Sequence, residues 1–535
     1  MSTDVKLVSR TIKYLLEKQS EVRGDSIYLQ SANTGEEATF NEVLYYANKV
    51  GNGLNSLGIN KGEMVATMIP TQFEAIYAWY GCAMIGAIEV PINNAYKGNI
   101  LKYIINNSES KLLVIEASIL SRIYEIQDEL DILEKVVVIG LNDDENIKLP
   151  LKFSVIKWED LITKNTTEYR SDIYNYDINH MLYTSGTTGP SKGVLCTFSH
   201  NYETAVGSVR EEVVTDQDIY YNPLPINHIG GRVALTAMLV YGGKVVLRDV
   251  FRTDKFWSDI EKFQCTCTLL LGAMANFIYK LPSNSNNKNN TLKWLNMIPL
   301  IPEVEEFKKR FQVHVQTVFN MTEICAPITS DGFKLKDNKS CGKVRKGFEI
   351  RLVNDFDEEV PHGKVGELVV RSEKPWVLMA GYWKMPEKTV EAWRNQWLHT
   401  GDLFTRDEEG NFYFVDRVKD SIRRRGENIS SMEVESEING YPKVLESAAV
   451  AVPSSDGEEE IKACIVPQPN ETIMPDELIK FLVDRMPHFM VPRYIEILEE
   501  LPKTQTQKIQ KSELRKNGIT NKTWDRDEAG IKVKR

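Results

Sequence analysis

Residues 183–193 read Tyr183-Thr184-Ser185-Gly186-Thr187-Thr188-Gly189-Pro190-Ser191-Lys192-Gly193. Three glycines let the backbone approach a ligand closely and take positive φ. The hydroxyls of Thr184, Ser185, Thr187 and Thr188 offer donors, and Lys192 adds a positive charge. Exposed backbone N–H groups in such a loop form an anion-binding nest, so the stretch suits phosphate oxygens. It is not a Walker-type loop, which needs Gly-Lys followed by Ser or Thr; here Lys192 precedes Gly193. On composition alone, a flexible turn between two elements stays open as the plainer alternative.

Outward from this loop, short apolar runs alternate with helical patterns. Upstream, residues 40–57 read as an amphipathic helix and 63–69 as a strand. Residues 73–86 read as a helix rich in small side chains, and 111–115 and 135–139 as further strands. Downstream, 245–247 and 268–271 look like buried strands, and 257–263 between them continues the rhythm of helices and strands. Strands alternating with helices predict a mostly parallel sheet covered on both faces. From residue 348 the texture changes to short alternating strands. Beyond Asp416 comes a compact segment with a helix at 431–439, strands at 446–452 and 461–466, and a helix at 475–486. These patterns predict an α/β chain with a large N-terminal domain, residues 1–416, and a small α+β domain, residues 417–535.

With 535 residues, 42% of them hydrophobic and 26% charged, the chain has globular composition and is long enough for several folding units. A net charge of -10 argues against a dominant nucleic-acid surface, though not against a local basic pocket. Seven cysteines form an odd set, and Cys265 and Cys267 are spaced unlike zinc or redox pairs. Reduced thiols in a cytoplasmic protein fit best. The first ten residues lack a signal-peptide pattern. The apolar run 75–88 is too short to span a bilayer, which takes about 20 residues, so a buried helix is expected and no integral membrane segment.

Taken in order, the loop YTSGTTGPSKGV resembles the signature of the adenylate-forming superfamily, which includes acyl-CoA synthetases, luciferases and the adenylation domains of peptide synthetases. Four more segments follow in that family's order. Phe319-Asn320-Met321-Thr322-Glu323 is similar to its aromatic–Gly–x–Thr–Glu element, and Trp397-Leu398-His399-Thr400-Gly401-Asp402 to its WxxTGD element. Residues 416–429 resemble its hinge and the loop that follows. Residues 501–508, ending in Lys508, resemble its C-terminal lysine motif. Within the superfamily, Asn227-His228-Ile229-Gly230-Gly231, residues 383–397 and the run IRRRGENIS most resemble the carnitine/crotonobetaine-CoA ligase branch and related acyl-CoA ligases.

The resemblance implies an N-terminal α/β domain with parallel sheets and a β-rich subdomain, plus a small mobile C-terminal domain. It implies a ligase that adenylates a small-molecule carboxylic acid with ATP and Mg²⁺, then transfers the acyl group to coenzyme A. Lys508 would bridge the carboxylate and the α-phosphate. Glu323 would bind Mg²⁺, with Thr184 assisting, and Thr322 would hydrogen-bond the α-phosphate. Thr184, Ser185, Gly186, Thr187, Thr188 and Lys192 would cradle the phosphates. Phe319 and Asn320 would lie at the adenine. Asp402 would accept from the ribose hydroxyls, and Arg417 would add a contact to ribose or phosphate. His228 would border the acyl pocket or its thiol gate, and Lys419 the domain pivot. Gly426 would line the pantetheine path, with Arg423, Arg424 and Arg425 as a dock for CoA phosphates. Solvated surface charge remains open for the arginines, and ordinary core or turn roles for the others.

Two departures stand out. Asn320 replaces the family's usual glycine, and Gln507 the glycine before the lysine. Residues 227–231 hold no aspartate for an α-amine, which disfavours an amino-acid substrate. An acyl-AMP ligase that delivers to a carrier-protein thiol, and a silent nucleotide-binding homologue, stay open beside the CoA ligase. Trp257, Trp376 and Trp383 offer faces for a quaternary ammonium, with core packing as the alternative.

Overall fold

The structure, a computed structural model, describes residues 3–141, 151–163, 172–184, 191–282, 290–418, 420–424, 427–453, 459–483, 485–504, 508–531 and 533. The apolar run 75–88 forms the helix Phe73–Ile85, in which every residue but Glu74 is buried. A helix apolar all round belongs inside a protein. Its Gly81 lies against Val50 of the helix Phe40–Ser56, where a Cβ on Gly81 would meet the valine side chain at 2.5 Å. Thr39 starts that second helix with a capping box, exchanging hydrogen bonds with Glu42.

Among the described residues, the strands of the large domain form three sheets. One holds Gly381–Tyr382, Lys192–Thr197, Ile178–Thr184, Ile88–Pro91, Met64–Met68, Leu112–Glu116, Lys135–Ile139 and Ser154–Lys157, in that spatial order. The second runs His314–Gln316, Trp294–Ile298, Cys267–Leu271, Ile219–Asn222, Lys244–Leu247, Ile27–Ser31 and Glu37–Thr39. Both are mainly parallel, as the alternating pattern predicts. Ile27–Ser31 crosses from the N-terminal end of the chain to pair with Lys244–Leu247. The third sheet is antiparallel and spans Val318–Phe319 to Phe412–Arg417, so the change in texture starts earlier than residue 348.

An ion pair joins a strand of the first sheet to a helix that runs between two strands of the second. Arg232, in the helix Ile229–Tyr241, meets Glu89 at 2.7 Å, and both are buried. Its guanidinium also lies 4.1 Å from the Trp79 ring, and its Nε donates to the Ile226 carbonyl. A buried pair of this kind fixes geometry more than it adds stability.

The C-terminal segment has its own sheet of Val444–Pro453, Glu459–Pro467, Tyr494–Ile497 and Trp524–Asp525. Ile422, Ile429 and Val434 pack into its core, whereas Phe412 and Phe414 pack into the antiparallel sheet. Among the described residues no helix is long and apolar enough to cross a membrane. All seven cysteines are free thiols.

Candidate active site

The carboxyl end of a parallel strand is the place where an α/β sheet presents loops to a ligand. Strand Ile178–Thr184 ends at such a point, and Lys192–Thr197 returns antiparallel with Thr184 opposite Lys192. The Thr184 hydroxyl donates to the Lys192 carbonyl at 3.4 Å. The Tyr103 hydroxyl donates to the Ser191 carbonyl, and Tyr183 donates to Asn107. Both ends of the glycine-rich loop are thus braced by the helix Gly98–Ser108. Ser185, Gly186, Thr187 and Thr188 lie outside the described residues, as do Lys419, Arg425, Gly426 and Gln507.

Thr322 and Glu323 sit in a turn just after the strand Val318–Phe319. Asn320 keeps an ordinary φ, and its Oδ1 closes the turn by accepting the Ala326 N–H at 2.8 Å. No glycine is needed there, which accounts for the first departure from the family pattern. Phe319 meets Phe404 edge to face at 4.8 Å. Behind the turn, Arg345 donates to the carbonyls of Cys325 and Ala326 and pairs with Glu203 at 3.0 Å. Lys374 and Arg10 also reach Glu203, at 2.8 and 3.6 Å. Burial pushes the Glu203 carboxyl up, but these cations outweigh it and hold the group below the usual carboxylate range.

Glu323 is buried, and its Oε1 accepts from the Tyr382 hydroxyl at 3.0 Å. Its other oxygen takes no hydrogen bond among the described residues. The Lys192 ammonium lies 3.9 Å from the centre of the Tyr382 ring. Burial lowers the Lys192 pKa, while Glu323 draws it back up. Neither Tyr382 nor the Glu203 cluster was found by sequence reasoning. Tyr382 follows a glycine just before residues 383–397, a stretch read only for its overall likeness.

On the facing side, Gly401 takes φ +72°, a conformation that suits glycine in the Thr-Gly-Asp turn. Thr400 donates to the Leu368 carbonyl and accepts from the Asp402 N–H. Asp402 and Arg417 are opposite each other on paired strands, with Nε and Oδ1 3.7 Å apart. Lys508 is solvent-exposed; its N–H donates to Thr504 Oγ1 and its carbonyl accepts the Thr504 N–H. Loss of hydration around the ammonium lowers its pKa, Arg417 lowers it further, and Asp402 and Glu323 oppose both. His228 precedes the helix Ile229–Tyr241. Burial, then the charges of Lys508 and Arg232, bring its pKa down to about 4, so the imidazole is neutral at pH 7. Thus Glu323, Asp402, Arg417, His228 and Lys508, far apart in sequence, share one electrostatic neighbourhood.

Other candidates fall elsewhere. Arg424 is buried and bonded to Glu460 and to the carbonyls of Phe489 and Val491, so it presents nothing to a phosphate. Trp257 is packed in a core against Phe256 and Phe311, Trp383 donates to the Asn107 carbonyl, and Trp376 is exposed. Among the described residues no cluster of three or more His, Cys, Asp or Glu stands ready to hold a metal unaided.

The sequence profile of the AMP-binding enzyme family matches residues 16–383, and that of the AMP-binding enzyme C-terminal domain matches residues 433–508. A crotonobetaine/carnitine–CoA ligase of Salmonella agona (strain SL483) is 32% identical over 490 residues, covering 89% of this chain and 92% of the relative. The same-named ligase of Escherichia coli (strain ATCC 8739) is 32% identical over 88% of this chain and 90% of its own length. Among solved structures, the anthranilate CoA ligase AuaEII in complex with anthranoyl-AMP aligns with a TM-score of 0.84 and 26% identity. That alignment covers 95% of this chain and 96% of the other. O-succinylbenzoate coenzyme A synthetase from Bacillus subtilis, at 24% identity and a TM-score of 0.81, shares the fold over 94% of this chain and 98% of its own. With its five motifs in order and both family profiles matched, this chain belongs to the AMP-binding enzymes, the adenylate-forming superfamily.

Proposed function

We propose that this chain is an ATP-dependent acyl-CoA ligase. In the first step a carboxylate oxygen attacks the α-phosphorus of ATP, forming acyl-AMP as the bond to pyrophosphate breaks. In the second the CoA thiol, giving up its proton, attacks the acyl carbon, and AMP leaves. The observation that carries the reading is the gathering around Lys508 of residues far apart in sequence: Asp402 and Arg417 lie 3.7 Å apart on paired strands, and both act with Glu323 on its ammonium. Charge builds on carboxylate and phosphate together in the first step, and a lysine between them stabilises it where it develops.

Lys192 and Thr184 hold phosphate oxygens, Thr322 the α-phosphate, Asp402 and Arg417 the ribose, and Phe319 with Asn320 the adenine. Glu323 suits a Mg²⁺ ion, since one of its oxygens is held by Tyr382 and the other is left to face a cation. A single carboxylate with no supporting cluster fits a hard cation whose remaining ligands are phosphates and water. When bound, that ion neutralises phosphate charge. His228, neutral at pH 7, borders the acyl and thiol path without adding charge. The separate cores on either side of Asp416 support a boundary there and a small domain, residues 417–535, that turns between the two steps. The free cysteines suit a cytoplasmic location.

The test is pyrophosphate release from Mg·ATP over a panel of acids, each with and without CoA. Carnitine-type acids come first, because the 32%-identical relatives are crotonobetaine/carnitine–CoA ligases. Thioester formation that requires CoA, acid and ATP supports the reading. Acyl-AMP that accumulates unchanged in the presence of CoA would overturn the second step.

A further inference from the structure

We propose that Tyr382 is a positioning residue that keeps Lys192 and Glu323 apart and fixes each for its own part of Mg·ATP; this rests on the adenylation reading above. A lysine and a carboxylate facing one phosphate site are prone to pair with each other, which would spend both charges. Among the described residues Lys192 and Glu323 form no ion pair. The Tyr382 phenol stands between them, with its face to the ammonium at 3.9 Å and its hydroxyl on Glu323 at 3.0 Å.

The backbone places the ring with little freedom. Strand Gly381–Tyr382 pairs antiparallel with Lys192–Thr197, setting Tyr382 opposite Val194. The Trp383 N–H donates to the Gly193 carbonyl, and the Met379 N–H donates to the Glu323 carbonyl. One short segment, residues 379–383, therefore ties the phosphate-loop strand to the turn that carries Glu323. Tyr382 is 8% exposed, so its hydroxyl has little water to turn to in place of the carboxylate. A cation held over a neutral aromatic face is attracted without an opposite charge beside it, so its net charge stays available to a phosphate. A phenol has one proton to donate, so it orients one carboxylate oxygen and leaves the other open.

Tyr382→Phe keeps the spacer and loses the hydrogen bond; Tyr382→Leu loses both. ATP binding is measured by calorimetry in EDTA and in Mg²⁺, with thermal melts alongside. For Tyr382→Phe the metal-free ATP affinity is expected to stay at the wild-type value. The extra affinity conferred by Mg²⁺ falls about tenfold, as for loss of a hydrogen bond to a charged group. For Tyr382→Leu, metal-free ATP affinity falls as well, by about threefold. A Phe variant with the full Mg²⁺ effect would overturn the assignment, as would equal metal-free affinities in the Leu and Phe variants. Binding losses that simply track a lowered melting temperature would also overturn it, since a packing role predicts them. Wild-type protein that binds no ATP in either buffer would overturn the adenylation reading and the assignment together.

Discussion

The two sides of the candidate site are built differently. On the phosphate side Glu323, Tyr382 and Lys192 are wired together by a hydrogen bond, an aromatic face and strand pairing, and the Glu203 cluster braces the turn from behind. On the other side Lys508 stands exposed, its backbone exchanging two hydrogen bonds with Thr504. On the reading proposed above, groups that hold ATP from the start are preorganised in the large domain, and the group needed only while charge develops is carried by the small one. A residue so placed could leave if the small domain turned, without disturbing the nucleotide grip.

Removing Lys508 is the strongest way to break that contrast. Lys508→Ala is expected to slow pyrophosphate release by about 10²–10³-fold, roughly 3–4 kcal/mol. The melting temperature should hold, because among the described residues its ammonium makes no ion pair or hydrogen bond to lose. Thioester formation from supplied acyl-adenylate should survive. An equal fall in both half-reactions would make Lys508 a fixture of one state rather than a visitor.

Glu203→Ala tests the other side. Removing one partner of a buried ion pair leaves charge uncompensated, and about 3 kcal/mol of stability should be lost, read by denaturant melts. Because Arg345 also holds the carbonyls behind Glu323, ATP binding should weaken as well. This cluster shows where sequence reading ran out. The five motifs were legible because each keeps its chemistry in a few consecutive residues, and their order carried the family and the α/β fold. Glu203, by contrast, draws its partners from residues 10, 345 and 374, which only tertiary folding brings together. The strand Ile27–Ser31 was missed for a similar reason, since its partner Lys244–Leu247 lies far along the chain. The helix Phe73–Ile85 was readable because burial on every face writes itself as an unbroken apolar run.

Acid should act on the two domains unequally. His180 and His200 are fully buried in the large domain. Burial lowers the pKa of both, that of His200 to about 4 and that of His180 well below the usual value. Unfolded, each takes up a proton near pH 6.5, whereas the folded chain does not. Stability is therefore complete above pH 6.5 and falls as the pH drops toward 4. For His200 the loss between pH 6.5 and 5 is about 2 kcal/mol. Beyond residue 416 the chain holds one histidine, His488. Hydrogen exchange at pH 5 should therefore show the large domain opening first, and His200→Asn should flatten the pH dependence of the melts. If the small domain opens first, its coupling to the large one is looser than the shared site suggests.

Arg417 tests the seam between the two sides, and its effect on stability is the smallest. Its side chain is 43% exposed and lies 3.7 Å from Asp402, so the pair is screened by water, and Arg417→Ala should cost under about 1 kcal/mol. The informative change lies in the titration of Lys508. Arg417 now repels the protonated ammonium and lowers its pKa. Without it, the protonated form gains and the Lys508 pKa moves up. A lysine that works protonated would then stay active to higher pH, so the alkaline limb of the adenylation rate should shift upward. The alanine variant should also bind ATP more weakly if Arg417 contacts the ribose, and that loss should be independent of pH. An alkaline limb that does not move would mean that the ammonium and the guanidinium are not neighbours in the working enzyme, and the contrast would lose its meeting point.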